Sequence, residues 1–455
     1  MVIILNRFKT FMINFTIIIG SSFILQIIKL IFGIYISNKV SSEAMGVFHL
    51  IMTVYMFGIT LASAGINITC MKIVSEEIAL NNYTAAKKTS IKCTLIGLIA
   101  GILSGSLFSL KSNFITIHCL HNKVDQNIIY LIAIALPLIS MSASISGYFM
   151  AIRKVNKTVV GNFIEQISKV ISTCVILKYF CDIFSINSIC FSLILGDVIS
   201  EIISFIYFAF TYIFDLIGNR KIGDFYSNNV KSSLSNKKLN FKFKLNSKIF
   251  NILIPIALTT YIRSGISTLK QLIIPSSLER SGINCEKALS DYGIISAMAM
   301  PIVLFPSIFL GIFSNLLIPE FSRYYATKDY YKIKKYTHKL IMITLLFSCF
   351  IGFIFWNFGQ KIGLLIYNNE YVGNYIKVFS LIIPFMYVDI IIDSILKGID
   401  EQVFVMKVNI IDLIISTFLI IFIVPILGIK GYVLSIFISE IFNLILSLRK
   451  LLKFK

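Results

Sequence analysis

None of the 24 glycines is followed by lysine. The phosphate-cradling loop G-x-x-x-x-G-K-[ST] is therefore absent, and ATP is not expected to drive transport through this polypeptide. Charge is scarce as well, at 14% of residues against about 25% in a soluble domain. Tryptophan occurs once, at Trp356, so anchoring at a membrane surface falls mainly to the 21 tyrosines. The eight cysteines (70, 93, 119, 174, 181, 190, 285 and 349) contain no C-x-x-C pair and read as small buried hydrophobes. Of the four histidines, two stand in His118-Cys119-Leu120-His121, a run without the further ligands that a structural zinc requires. No metal and no cofactor is expected. Neither a Ser-His-Asp set nor a glycosidase carboxylate pair has an aqueous pocket to occupy. No enzyme, and no catalytic residue, is expected. The first apolar run, 11–36, is too long for a removable signal peptide and lacks a small-residue cleavage site, so it is expected to remain as a membrane span.

What the chain does have is apolar length: 57% of its residues are hydrophobic. Runs at 11–36, 46–69, 91–110, 127–151, 159–180, 188–213, 249–275, 292–317, 339–357, 375–397, 403–425 and 428–449 each approach or exceed the roughly 20 helical residues that cross a bilayer. The expected fold is an all-α polytopic membrane protein of about 12 transmembrane helices. Residues 362–367 make an apolar run too short to cross and are expected in a loop. With both termini in the cytoplasm, most of the 42 Lys and Arg residues fall in the inner loops, as the positive-inside rule demands. The net charge of +20 is then mostly topological, and nucleic acid is not an expected partner.

The longest inner loop, 214–248, is polar and basic and divides the spans six and six. It reads either as a plain linker or as a cytoplasmic surface for anionic lipid or a partner protein. The expected organisation is an N-terminal six-helix lobe (1–213), the basic linker (214–248) and a C-terminal six-helix lobe (249–455). A shift of 247 places Gly46 on Gly293, Pro137 on Pro384 and Asn162 on Asn409. Six spans is an even number, so the two halves share one orientation. Lobes related in this way are parallel repeats that can rock about a midplane site.

Lone charges inside the runs are the candidate site residues, because charge at membrane depth is tolerated only toward a bundle interior or water. Arg263 and Lys270 lie seven residues apart, close to two helical turns, and so share a face. With Lys29 of the first span they would make a cavity for an anion, with Arg as a bidentate fork and Lys as a point charge. Alternatively, the two lysines snorkel to an interface and Arg263 pairs with a carboxylate. Among the acids, Asp197 and Glu201 are four apart, as are Asp389 and Asp393. Such pairs can share a proton and couple transport to an ion gradient. Alternatively they serve as interhelical hydrogen-bond partners or local ion pairs, for example Glu165 with Lys169 and Asp393 with Lys397. Pro137, Pro255, Pro275, Pro301, Pro306 and Pro384 read as hinges or as static kinks.

A further set of residues carries a resemblance. Ile254-Pro255, Arg263, Ile274-Pro275-x-x-Leu278, Ser281-Gly282, Tyr292-Gly293, Met298-Ala299-Met300-Pro301, Phe305-Pro306 and Leu317-Ile318-Pro319-Glu320 follow one another in order. Met45-Gly46-Val47-Phe48-His49-Leu50, Ala64-Gly65-Ile66 and Glu165-Gln166 extend the pattern through the first half. This set resembles the stage V sporulation protein B family of the multidrug/oligosaccharidyl-lipid/polysaccharide (MOP) flippase superfamily. The resemblance implies two six-helix lobes in a V, as in MATE transporters, around a central cavity. It also implies a cell-membrane flippase that moves an undecaprenyl-pyrophosphate-linked sugar precursor of spore-cortex peptidoglycan by alternating access, in a membrane bounding the forespore. Membrane lipids and cell-wall synthesis proteins are the implied partners. A Na⁺- or H⁺-coupled multidrug exporter of the same fold, and a non-transporting scaffold for cortex synthesis, are the rival readings. The exporter predicts an acid-dominated cavity and cationic cargo, and the scaffold depends on the basic linker.

Overall fold

Apolar runs in lipid must satisfy their backbone groups internally, and with few helix-breaking residues they do so as long helices. The computed structural model describes residues 2–80, 82–180, 185–218 and 238–453, and no strand occurs among them. The helices are α1 (Val2–Lys39), α2 (Ser42–Ser63), α3 (Ile66–Ala79), α4 (Tyr83–Leu110), α5 (Gln126–Ala151), α6 (Val155–Phe180), α7 (Ile186–Gly218), α8 (Lys238–Arg280) and α9 (Cys285–Gly293). They continue with α10 (Met300–Leu304), α11 (Ser307–Ala326), α12 (Tyr330–Tyr367), α13 (Glu370–Phe379), α14 (Ile383–Gly398), α15 (Gln402–Leu427) and α16 (Ile429–Leu452). Eleven helical segments of the described residues are long and apolar enough to cross a membrane, or twelve when α13 and α14, bent by 55°, count as one span.

Two details depart from the expected layout. The 362–367 run is not a loop but the last turns of α12. Four polar residues, Asn357 and Gly359-Gln360-Lys361, hide its continuity from a hydropathy reading, yet none of them breaks a helix. Of the 214–248 linker, 214–218 complete α7 and 238–248 begin α8, leaving 219–237 outside the described residues. Pro255 and Pro275 both lie within α8, a single helix of 43 residues.

The chain divides into two compact units: residues 1–28 with 51–265, and residues 29–50 with 266–455. In the first unit, α3, α4, α5 and α7 close around a core of Cys70, Ile73, Cys93, Ile145, Phe149 and Phe208. The α4–α5 seam is set by Gly97, Gly101 and Gly105, one per helical turn. A Cβ on them would stand 3.0 Å from the Ser140 carbonyl oxygen, 2.5 Å from Pro137 Cα and 2.6 Å from the Ala133 carbonyl oxygen. Ser140 Oγ uses this closeness to donate to the Gly97 carbonyl at 2.6 Å. At one end of the unit, Tyr148 donates to Asp215 at 2.9 Å, and Lys154 and Lys157 pair with the same buried carboxylate.

In the second unit, α12 packs on α13 and α14, α11 on α14, and α15 on α16. The run 292–317, expected as one span, is broken. After α9 the chain makes a π-turn (Ile294–Ala299), then α10, and halts at Phe305-Pro306 before α11. Proline supplies no N–H, so the helical ladder fails at Pro301 and again at Pro306. Tyrosines from neighbouring helices take up carbonyls along the break: Tyr367 donates to Met298 O at 3.1 Å and Tyr387 to Val303 O at 2.8 Å.

Candidate functional site

Helix α8 carries the central cation. Its membrane span runs Ile249–Arg280, and Arg263 sits within two residues of the middle. The side chain is exposed and forms no ion pair among the described residues. A mid-span guanidinium without an internal counter-charge needs water or an anion. Lys29 has the same character: it lies near the middle of the span Thr16–Lys39, is exposed, and makes no described ion pair.

Lys270 differs. It is half-buried, and its electrostatic neighbours within the second unit are Asp412 of α15 and Glu440 of α16. Asp412 is itself held by a hydrogen bond from Ser439 at 2.5 Å. The lysine thus shares its surroundings with two carboxylates, whose field favours its charge.

The expected acid pairs are divided between the units. In the first, Asp197 is buried and lies 2.7 Å from Lys169 of the neighbouring α6, so Lys169 turns to α7 for this contact. Glu201, one turn on, is left in the field of Glu165 and Asp197. Tyr55 of α2 lies in the electrostatic surroundings of these acids, its buried hydroxyl without a hydrogen-bond partner among the described residues. In the second unit Asp393 lies 3.9 Å from Lys397, one turn on along the same helix. Asp389 instead accepts from Asn443 Nδ2 of α16 at 3.0 Å. The Oδ1 atoms of Asp389 and Asn443 are both buried without a hydrogen bond. Sequence reasoning missed Asn443 and Tyr55. An uncharged polar residue in an apolar run was the only available signal for Asn443, three positions beyond Glu440, and Tyr55 gave none.

The long apolar helices define a multi-pass membrane protein, and the mid-span charges are the feature by which transporters of polar cargo differ from inert bundles. The model of the "Polysaccharide biosynthesis protein" family matches residues 11–325, and the MatE model matches 281–423. The chain belongs to the polysaccharide biosynthesis protein family. It is 20% identical over 434 residues to "Stage V sporulation protein B" of Bacillus subtilis (strain 168), covering 94% of this chain and 81% of that protein. It is 18% identical over 375 residues to the same organism's "Sporulation protein YkvU", covering 82% and 78%. Among solved structures, an inward-facing multidrug resistance MATE family transporter of the MOP superfamily matches with a TM-score of 0.66 at 13% identity, over 94% of each chain. The lipid II flippase MurJ, in an inward closed conformation, matches with a TM-score of 0.66 at 14% identity, over 97% of this chain and 88% of that one. The fold is that of the MOP superfamily. Family and fold are those of transporters and flippases, not of enzymes.

Proposed function

We propose that the protein is a flippase for a lipid-linked, anionic glycan precursor, with its pyrophosphate received by Arg263 and Lys29 and the charge balance of the path adjusted by Lys270. The observation that carries this reading is Arg263: a permanently charged, exposed guanidinium at the centre of a membrane span, with no ion pair among the described residues. A planar fork of donors at that depth suits a phosphate oxyanion and repels a cationic drug. Two relatives support the cargo class, one named for sporulation and one a lipid II flippase. The carrier in this reading is undecaprenyl-pyrophosphate, the sugar that of a spore-cortex peptidoglycan precursor, and the membrane one bounding the forespore, with both termini cytoplasmic. Proteins of cell-wall synthesis would supply and consume the cargo. Alternating access would come from rearrangement of the two helical units.

Ion coupling in this reading uses the buried acids. Asp389 with Asn443 offers two orphaned oxygens that a proton or a small cation would satisfy. Asp197 and Glu201 form a second candidate set, with Lys169 holding Asp197. Asp393, beside Lys397, is the weaker member of its pair.

The test is outward movement of a pyrophosphate-linked precursor in proteoliposomes, with a cationic drug run in parallel. Arg263→Ala is expected to abolish precursor movement and Arg263→Lys to retain part of it. Drug movement without precursor movement would turn the assignment to a MATE-type exporter, the reading that the MatE match over 281–423 favours. Movement of neither, in folded protein under an imposed ion gradient, would leave the scaffold reading.

A further inference from the structure

Between α11 and α12 the second unit turns through the segment Arg-Tyr-Tyr-Ala-Thr-Lys-Asp-Tyr-Tyr-Lys-Ile-Lys-Lys-Tyr-Thr-His-Lys, residues 323–339. Its cations are Arg323, Lys328, Lys332, Lys334, Lys335 and Lys339, all exposed, and its single acid is Asp329. Lys332 pairs with Asp329 at 2.7 Å, while the other five cations form no ion pair among the described residues. Interleaved with them are tyrosines in ordered geometry. Tyr324 and Tyr336 stack at 5.6 Å with their planes 11° apart. Lys332 lies 5.9 Å from the Tyr324 ring, and Lys335 lies 5.9 Å from the Tyr331 ring. Tyr331 is 75% exposed, too open for a residue that serves packing.

Depth follows from length. Helix α12 has 38 residues, about 57 Å at 1.5 Å per residue, whereas a hydrocarbon core is roughly 30 Å thick. The charge-free stretch of this helix begins only after Lys339, so its first turns project from the hydrocarbon into the headgroup layer. Tyrosine prefers that layer, and lysine reaches phosphate there on its flexible stem. A loop that merely obeyed topology would need positive charge but no ordered aromatics among it.

We propose that residues Arg323–Lys339 form a docking surface for anionic phospholipid headgroups, with the lysines on the phosphates and the tyrosines at the glycerol level. The surface anchors the α11–α12 turn to the leaflet it faces. It rests on the membrane-spanning architecture alone and stands or falls independently of the cargo.

The experiment is native mass spectrometry of the full-length protein in detergent, presented with equal phosphatidylglycerol and phosphatidylcholine. The intact protein should retain phosphatidylglycerol in severalfold excess. Lys334→Gln/Lys335→Gln/Lys339→Gln should lower that excess, by up to about fivefold per lysine, while Lys334→Arg/Lys335→Arg/Lys339→Arg keeps it. An unchanged melting temperature in both variants separates lost binding from lost folding. Equal retention of the two lipids by intact protein, or no change in the glutamine variant, overturns the proposal. So does an equal fall in Lys72→Gln/Lys88→Gln/Lys92→Gln, which would make the effect one of overall charge. Release of the lipid by millimolar inorganic phosphate would show a site for a soluble anion instead.

Discussion

The His49 imidazole and the Tyr292 hydroxyl lie 2.9 Å apart, 243 positions from one another in the sequence. Their rings meet edge-on at 5.4 Å. This contact requires the helices beneath them to touch backbone to backbone, and Gly46 and Gly293 are where they do so. A Cβ on Gly46 would strike the Leu289 carbonyl, and one on Gly293 would strike that of Ser42. Neither obstacle is a movable side chain.

Gly293→Ala and Gly46→Ala are therefore each expected to destabilise the second unit by roughly 1–3 kcal/mol through overpacking. Thermal unfolding in detergent checks this. Gly311→Ala, where nothing stands within 4 Å of the new Cβ, is the matched control and should be close to neutral.

Asp215 is the only carboxylate that Tyr148, Lys154 and Lys157 share in the described hydrogen bonds and ion pairs. Asp215→Ala removes the buried acceptor that Tyr148 uses at 2.9 Å, a loss of about 1–3 kcal/mol. Asp215→Asn keeps an acceptor for the tyrosine and should cost less. The difference in melting temperature between the two variants reads out the hydroxyl separately from the ion pairs.

At the broken span, Tyr387→Phe removes the donor that Val303 O uses at 2.8 Å. An unpaired buried carbonyl costs about 1–3 kcal/mol, and the break at Phe305-Pro306 should open more readily. Hydrogen exchange across 300–310 should quicken, while exchange in α4 and α5 stays as it was.

Asp329 caps α12, accepting from the Lys332 backbone N–H at 3.1 Å. The Lys332 side chain, and then that backbone bond, hold its carboxyl below the usual carboxylate range. A lowered pKa in the folded state means that the cap contributes fully above the unfolded value, near 3.9, and is lost as pH falls through the lower folded value. Amide exchange over 330–334, corrected for its intrinsic pH dependence, should stay constant from neutral pH to about 5 and rise below the carboxylate range. In Asp329→Ala it should be raised at neutral pH and show no such step on acidification.

The spans were legible because apolar length is a property of the sequence itself. Arg263, Lys29 and Lys270 were equally visible, since a lone charge stands out in an apolar run. Their surroundings were not. Lys169 has Glu165 as its i−4 neighbour, but its 2.7 Å contact with Asp197 crosses to the next helix, and only packing creates that contact. Asn443 became part of the Asp389 site because α16 lies against α14, a contact that no local pattern encodes. Pro301 and Pro306 announced a bend, whereas the tyrosines that take the Met298 and Val303 carbonyls along it arrive from residues 367 and 387, which no local pattern indicates.

The glycine row of α4 has a mechanical consequence. Sliding α4 past α5 by one residue would bring Leu98 and Ile102 into gaps sized for a hydrogen atom. Only a hop of a full turn, about 6 Å along the axis, brings glycines opposite the same backbone again, and even then one end of the row is left without its match. The pair therefore works as a detent: it can tilt as one plate, but it does not creep.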